Sequence, residues 1–183
     1  MQESLTRSIP TKIEEDWDDC YNFLQEAILQ LKFKANEKEA LEIRNRLKDI
    51  ASNYHIKFSD PIFICVLSCL YGGEHANAIL KPEKQKTKDN IKNATYNSLN
   101  DLNVIHRLIF IRRRAMNLGC KYVMFLTLDK GLDNFMSKVY FNSKDKTIEY
   151  DKSLFPELSK DKYNELMILL GAKYPSNQDT CFD

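Results

Sequence analysis

Apolar positions recur at helical spacing along most of the chain, and the period changes only near Tyr122 and between Val139 and Tyr150. From Ile13 to Leu31, residues Trp17, Cys20, Tyr21, Leu24, Ala27, Ile28 and Leu31 fall every three or four positions, which predicts an amphipathic helix. Glu14, Glu15, Asp16, Asp18 and Asp19 crowd its first turns, where the helix dipole favours acids. Ala35-Asn36-Glu37 breaks the pattern. Ala40, Leu41, Ile43, Leu47 and Ile50 then predict a second helix from Glu37 to Ser52, supported by Glu42 and Arg46 at ion-pair spacing. The two are expected to form an antiparallel hairpin.

Ser59-Asp60-Pro61 predicts a helix start, with a capping side chain and proline at the first helical position. The helix runs through Ile62, Phe63, Ile64, Val66, Leu67 and Leu70 to Gly72-Gly73 and is apolar nearly all round, so it belongs at the centre of the domain. A short helix over Ala76 to Leu80 follows. Lys81 to Lys92, with five lysines against two acids, reads as a mobile basic loop. The next helix carries Asp101, Leu102, Ile105, Leu108 and Ile109 and closes near Gly119. Tyr122 to Leu126 is a short apolar run between helices, the signature of a buried parallel strand whose polar groups gather at its carboxyl end. Lys130 starts a further helix, Val139 to Phe141 and Thr147 to Tyr150 predict a hairpin, and the last helix spans roughly Lys160 to Leu170.

The expected architecture is therefore α/β: a helix-rich domain over 59–183 with a short central parallel sheet, preceded by a helical extension over 1–58. Length and composition agree with one core, since 183 residues at 43% hydrophobic suffice to bury one. A net charge of +1 gives no global case for nucleic-acid or membrane binding. No run of about 18 apolar residues occurs, and the first residues lack the layout of a signal peptide, so a cytoplasmic location is expected. The five cysteines form no CxxC pair, and Cys65 and Cys69 read as core positions four apart on one helix.

The candidate chemistry lies in Asn97-Ser-Leu-Asn-Asp101-Leu and Phe125-Leu-Thr-Leu-Asp129-Lys-Gly-Leu132. Two carboxylates brought to one edge of a sheet suit a hard divalent cation. These two motifs, one helix and one strand apart, resemble the carboxyl half of a PIN-like domain, over roughly Asp60 to Met136. The resemblance implies an α/β fold with a central parallel sheet and a ribonuclease using Mg²⁺ or Mn²⁺, of the kind found among toxins of toxin–antitoxin systems and defence-type effectors. It assigns Asp101 and Asp129 to catalysis and metal binding, with Thr127 as the helper hydroxyl. Asp133 and Glu74 are the candidates for further ligands. The family's usual first strand, ending in an aspartate, has no counterpart before Ile62.

RNA would be held by Lys84, Lys86 and Lys88 of the basic tract and by Arg112, Arg113 and Arg114, through backbone phosphates. Each feature also has a structural reading. Asp101 can cap its own helix, Asp129 can cap the next through the amide of Leu132, His75 can be a solvated loop residue, and the basic residues can be plain surface. A different class of function is a noncatalytic subunit that binds a protein partner or another copy through the amino-terminal hairpin, with Trp17 or Phe23 at the contact. A third is a nucleic-acid-binding protein without catalysis.

Overall fold

The computed structural model describes residues 15–84, 87–120, 123–142 and 147–171, without the side chains of Lys84, Lys88, Arg113, Met116, Phe141, Asn142 and Thr147. Its amino-terminal hairpin consists of α1 (Trp17–Gln30) and α2 (Glu37–Asn53). Asn36 caps α2 by accepting from the amide of Glu39 at 3.1 Å. The central helix α3 (Pro61–Leu70) begins where the Asp60 carboxylate accepts from the amide of Ile62 at 2.9 Å, and all ten of its residues are buried. Such a helix needs covering on every side. The helices α1, α2, α4 (Glu74–Leu80) and α5 (Lys88–Asn117) all pack on it.

Helix α5 has 30 residues and is about 45 Å long at 1.5 Å per residue. Leu99, Leu102, Ile105 and Leu108 form its core face, whereas Phe110 and Ile111 beyond them are exposed. The chain then passes through α6 (Lys130–Met136) into β1 (Val139–Asn142) and β2 (Thr147–Tyr150), which pair antiparallel with Val139 opposite Tyr150 and Phe141 opposite Ile148. It ends in α7 (Lys160–Leu169). The Tyr150 hydroxyl donates to the carbonyl of Ser59 at 2.9 Å, and the Tyr163 hydroxyl donates to the carbonyl of Tyr150, so the hairpin and α7 are tied to the start of α3.

Two expectations are overturned. The domain is helical rather than α/β, and no central parallel sheet exists among the described residues, whose only strands are β1 and β2. The run expected as a buried parallel strand forms no strand from Val123 onward, and Tyr122 lies outside the described residues. The physical reason is that α3 already occupies the centre and is covered by helices, which leaves no place for a sheet. The short apolar run satisfied the period of a strand and had no ladder partner to join. The basic tract is also shorter than expected as a loop, because α5 starts at Lys88 and includes Asn90 to Lys92.

No single helix among the described residues is long and apolar enough to cross a membrane. Helices α3 and α4 together are apolar enough but bend by 112°, and α3 is core.

The turn after α3 is the tightest point of the fold. A Cβ on Gly73 would lie 2.2 Å from Ser68 Oγ and 2.6 Å from the carbonyl oxygen of Leu154. Those two atoms are already hydrogen-bonded at 2.6 Å. Gly73→Ala should therefore lower stability by about 1–3 kcal/mol, the usual cost of forcing atoms into a packed site. Urea unfolding measures this, and an unchanged midpoint would mean that the turn is looser than described.

Candidate site: the Asp101 and Asp129 carboxylates

Helix α4, only seven residues long, positions both carboxylates because it packs against both elements that carry them. On one side the Ser98 hydroxyl of α5 donates to the carbonyl of Ile79 at 2.8 Å. Asp101 follows one helical turn later and is half-buried. On the other side Gly131, in the first turn of α6, lies so close to α4 that a Cβ there would sit 3.1 Å from the Cβ of Ala78 and 3.2 Å from Asp129 Oδ1. Glycine at 131 thus lets the start of α6, with Asp129, approach α4 closely.

Asp129 is the N-cap of α6. Its Oδ1 accepts from the amide of Leu132 at 2.8 Å, and its own amide donates to Thr127 Oγ1 at 3.1 Å. The capping role expected from the sequence is present, and Thr127 fixes the backbone that presents the carboxylate. Asp129 Oδ2 has no protein hydrogen-bond donor among the described residues.

The two carboxylates share an electrostatic environment. Burial pushes the Asp101 carboxyl above its ordinary 3.8, and the charge of Asp129 pushes it further the same way. Lys81 works against both. Lys81 ends α4 in the left-handed conformation at φ 48°, which directs the chain away from the helix. The sequence shows Lys81 only as the first residue of a basic tract. Its place beside Asp101 depends on α4 ending at Leu80, which no short motif announces.

The other candidates are scattered. Glu74 and Asp133 are exposed first-turn residues of α4 and α6. No group of three or more acids, histidines or cysteines able to hold a metal forms among the described residues. Arg112 is half-buried, Arg114 is exposed in the last turn of α5, and Lys84 lies in a short 3₁₀ turn over Pro82–Lys84. Lys86 lies outside the described residues, as do the side chains of Lys84, Lys88 and Arg113. Burial pushes the Cys69 thiol up to about 12 and holds that of Cys65 well above its usual range, so both stay neutral core groups. Phe23 is fully buried, 6.1 Å between ring centroids from Phe63, and Trp17 packs edge-on against Tyr96. The hairpin therefore does not offer Phe23 as a contact, since an amphipathic helix turns its aromatic face to its own core first.

A concavity of about 390 Å³ opens elsewhere, between the start of α2, Tyr71 and the segment around Glu157. Its lysines are already engaged, Lys34 with Glu157 at 3.7 Å and Lys162 with Glu37. Near Asp101, Lys81 is the cation that acts on its carboxyl.

Two outcomes follow from this geometry. Asparagine caps as well as aspartate, so Asp129→Ala should cost about 1 kcal/mol of stability and Asp129→Asn only a few tenths. Equal losses in the two would show that the cap is not made. For Asp101, a raised folded pKa means that the folded chain holds the proton more tightly than the unfolded one. Stability from the protonated form is then full below pH 3.8 and is lost as pH rises through the folded pKa. Asp101→Asn should accordingly melt no lower than the wild type at neutral pH, with the difference closing in acid; a lower melting temperature would contradict it. Comparison with protein-family models, curated proteins and solved structures finds no match to the chain.

Proposed function

We propose that the chain is a divalent-metal-dependent nuclease that hydrolyses phosphodiester bonds of RNA at the Asp101–Asp129 pair. The observation that carries the reading is that α4 packs against both the helix that carries Asp101 and the helix that Asp129 caps, so that two carboxylates 28 positions apart in sequence are brought into one region, where the charge of Asp129 adds to burial in raising the Asp101 carboxyl. A carboxylate raised by burial and by a neighbouring like charge is one that a nearby cation favours in its charged form.

The donor set fits the ion in type. Carboxylate oxygens are the hard ligands that Mg²⁺ and Mn²⁺ take, and Mg²⁺ is commonly held by one or two carboxylates together with waters and substrate phosphates. When bound, the ion supplies a water of lowered pKa and neutralises charge on the phosphate. The chain's own residues do the rest. Asp101 and Asp129 would hold the ion, and Thr127 with the amide of Leu132 keeps Asp129 in one orientation. Lys81 offers a positive charge to the substrate backbone. RNA binding of this kind is salt-dependent and largely blind to sequence.

A noncatalytic subunit is the second reading, favoured by the exposed apolar segment 123–128 rather than by the amino-terminal hairpin.

Cleavage of a mixed pool of single-stranded and structured RNA with Mn²⁺, Mg²⁺ or EDTA tests the proposal. Cleavage should require metal, and Asp101→Asn and Asp129→Asn should each lower the rate at least about 100-fold, since even outer-shell partners of a bound metal cost 10–100-fold. Asp129→Asn keeps the cap, so its loss of activity would not reflect unfolding. Absence of cleavage by folded wild-type protein would overturn the nuclease reading and favour the subunit.

A further inference from the structure

We infer that a second copy of this chain pairs with the segment 123–128, strand to strand and antiparallel, about a two-fold axis at Leu126. The inference rests on that segment alone and stands apart from the nuclease reading.

The segment has no regular secondary structure and bends at Leu128, and its burial alternates as a strand's does. Val123, Phe125 and Thr127 are half-buried, while Met124, Leu126 and Leu128 are 82%, 84% and 102% exposed. Its backbone makes no hydrogen bond to another segment among the described residues. Three large apolar side chains in a row, beside an unpaired backbone edge, are the two features that proteins ordinarily hide. The exposed area of these side chains is on the order of several hundred Å², the scale of one side of an ordinary interface at about 800 Å² per partner.

The same segment is its own complement. In an antiparallel pair centred on Leu126, Met124 of each copy faces Leu128 of the other, and Leu126 faces Leu126. All three exposed side chains then meet apolar side chains across the strands. On the opposite face Phe125 meets Thr127. No like charges are opposed anywhere in this register. The ends complement one another as well. Exposed Arg114 lies in the last turn of α5, before the segment in sequence, and exposed Asp129, Lys130 and Asp133 follow its end. In sequence, antiparallel pairing sets the stretch before each segment, which carries Arg114, against the stretch after the other, which carries Asp129 and Asp133 beside Lys130, whereas parallel pairing would set like stretches together. A two-fold contact of this kind uses one patch twice and closes on itself.

Sedimentation of the full chain at tens of micromolar should give twice the 21.4 kDa of one chain. Leu126→Lys, which sets two like charges on the axis, should halve that mass without changing the far-ultraviolet circular dichroism. The register has its own test in a Cys120→Ser, Cys181→Ser background. Leu126→Cys should form an intermolecular disulfide on mild oxidation, because facing Cα atoms in an antiparallel pair lie about 4.5–5.5 Å apart, inside the range a disulfide spans. Phe125→Cys, which faces Thr127 instead of itself, should form far less. A monomeric wild type would overturn the inference and leave the segment to a different protein. A dimer that survives Leu126→Lys, or cross-linking as efficient through position 125 as through 126, would overturn it too.

Discussion

The enclosure of α3 is the constraint on which the rest of the structure depends. A ten-residue helix with no solvent-facing side has to be surrounded, and each Leu, Ile or Phe buried there contributes about 1.5–3 kcal/mol. Its two ends are fixed by polar groups rather than by further apolar packing. At the start, the Asp60 carboxylate caps the helix and also lies 3.1 Å from His106 Nε2 of α5, while Tyr150 of β2 binds the carbonyl of Ser59. At the end, Ser68 and Gly73 close on the carbonyl of Leu154. The helix is thus tied to α5 and to the carboxyl-terminal hairpin by bonds made at the rim of the core.

The candidate site is a consequence of that arrangement. Because α3 fills the centre, α4 has to turn away from it at Gly72-Gly73, and it ends up wedged between α5 and α6. Ser98 and Gly131 are the two contacts that set its distance from each neighbour. Asp101, inside α5, and Asp129, at the start of α6, are then both carried by helices packed on α4, and no strand is needed to align them. Close approach also creates the cost: Asp101 is partly desolvated, faces a like charge, and has Lys81 as the cation that offsets it.

The sequence discloses the helices well because each has local punctuation. Asn36, Asp60-Pro61 and Asp129 mark starts that the structure keeps, and the hairpin of Val139 and Tyr150 follows from its short β-prone pieces. The capping role of Asp129 is legible from its place before Lys130-Gly131-Leu132, whereas Asp101 does not cap its helix, because α5 begins at Lys88 and leaves Asp101 in its interior. The sheet was misread for a reason in the residues themselves: Val123 to Leu126 has the composition of a buried strand, yet periodicity cannot say whether a partner exists. Lys81 and Gly131 were not legible as site residues, because their roles depend on how α4, α5 and α6 pack and not on any neighbouring residue in sequence.

The shared field of the two carboxylates is the claim that everything functional rests on, and it is measurable directly. Carbon-detected nuclear magnetic resonance titration of the Asp101 carboxyl, in the wild type and in Asp129→Asn without added metal, isolates it. The account predicts that the Asp101 pKa falls in the variant while staying above its ordinary range, because burial remains after the neighbouring charge is gone. An Asp101 titration identical in the two proteins would show that the carboxylates do not sense one another, and would remove the basis for a shared cation.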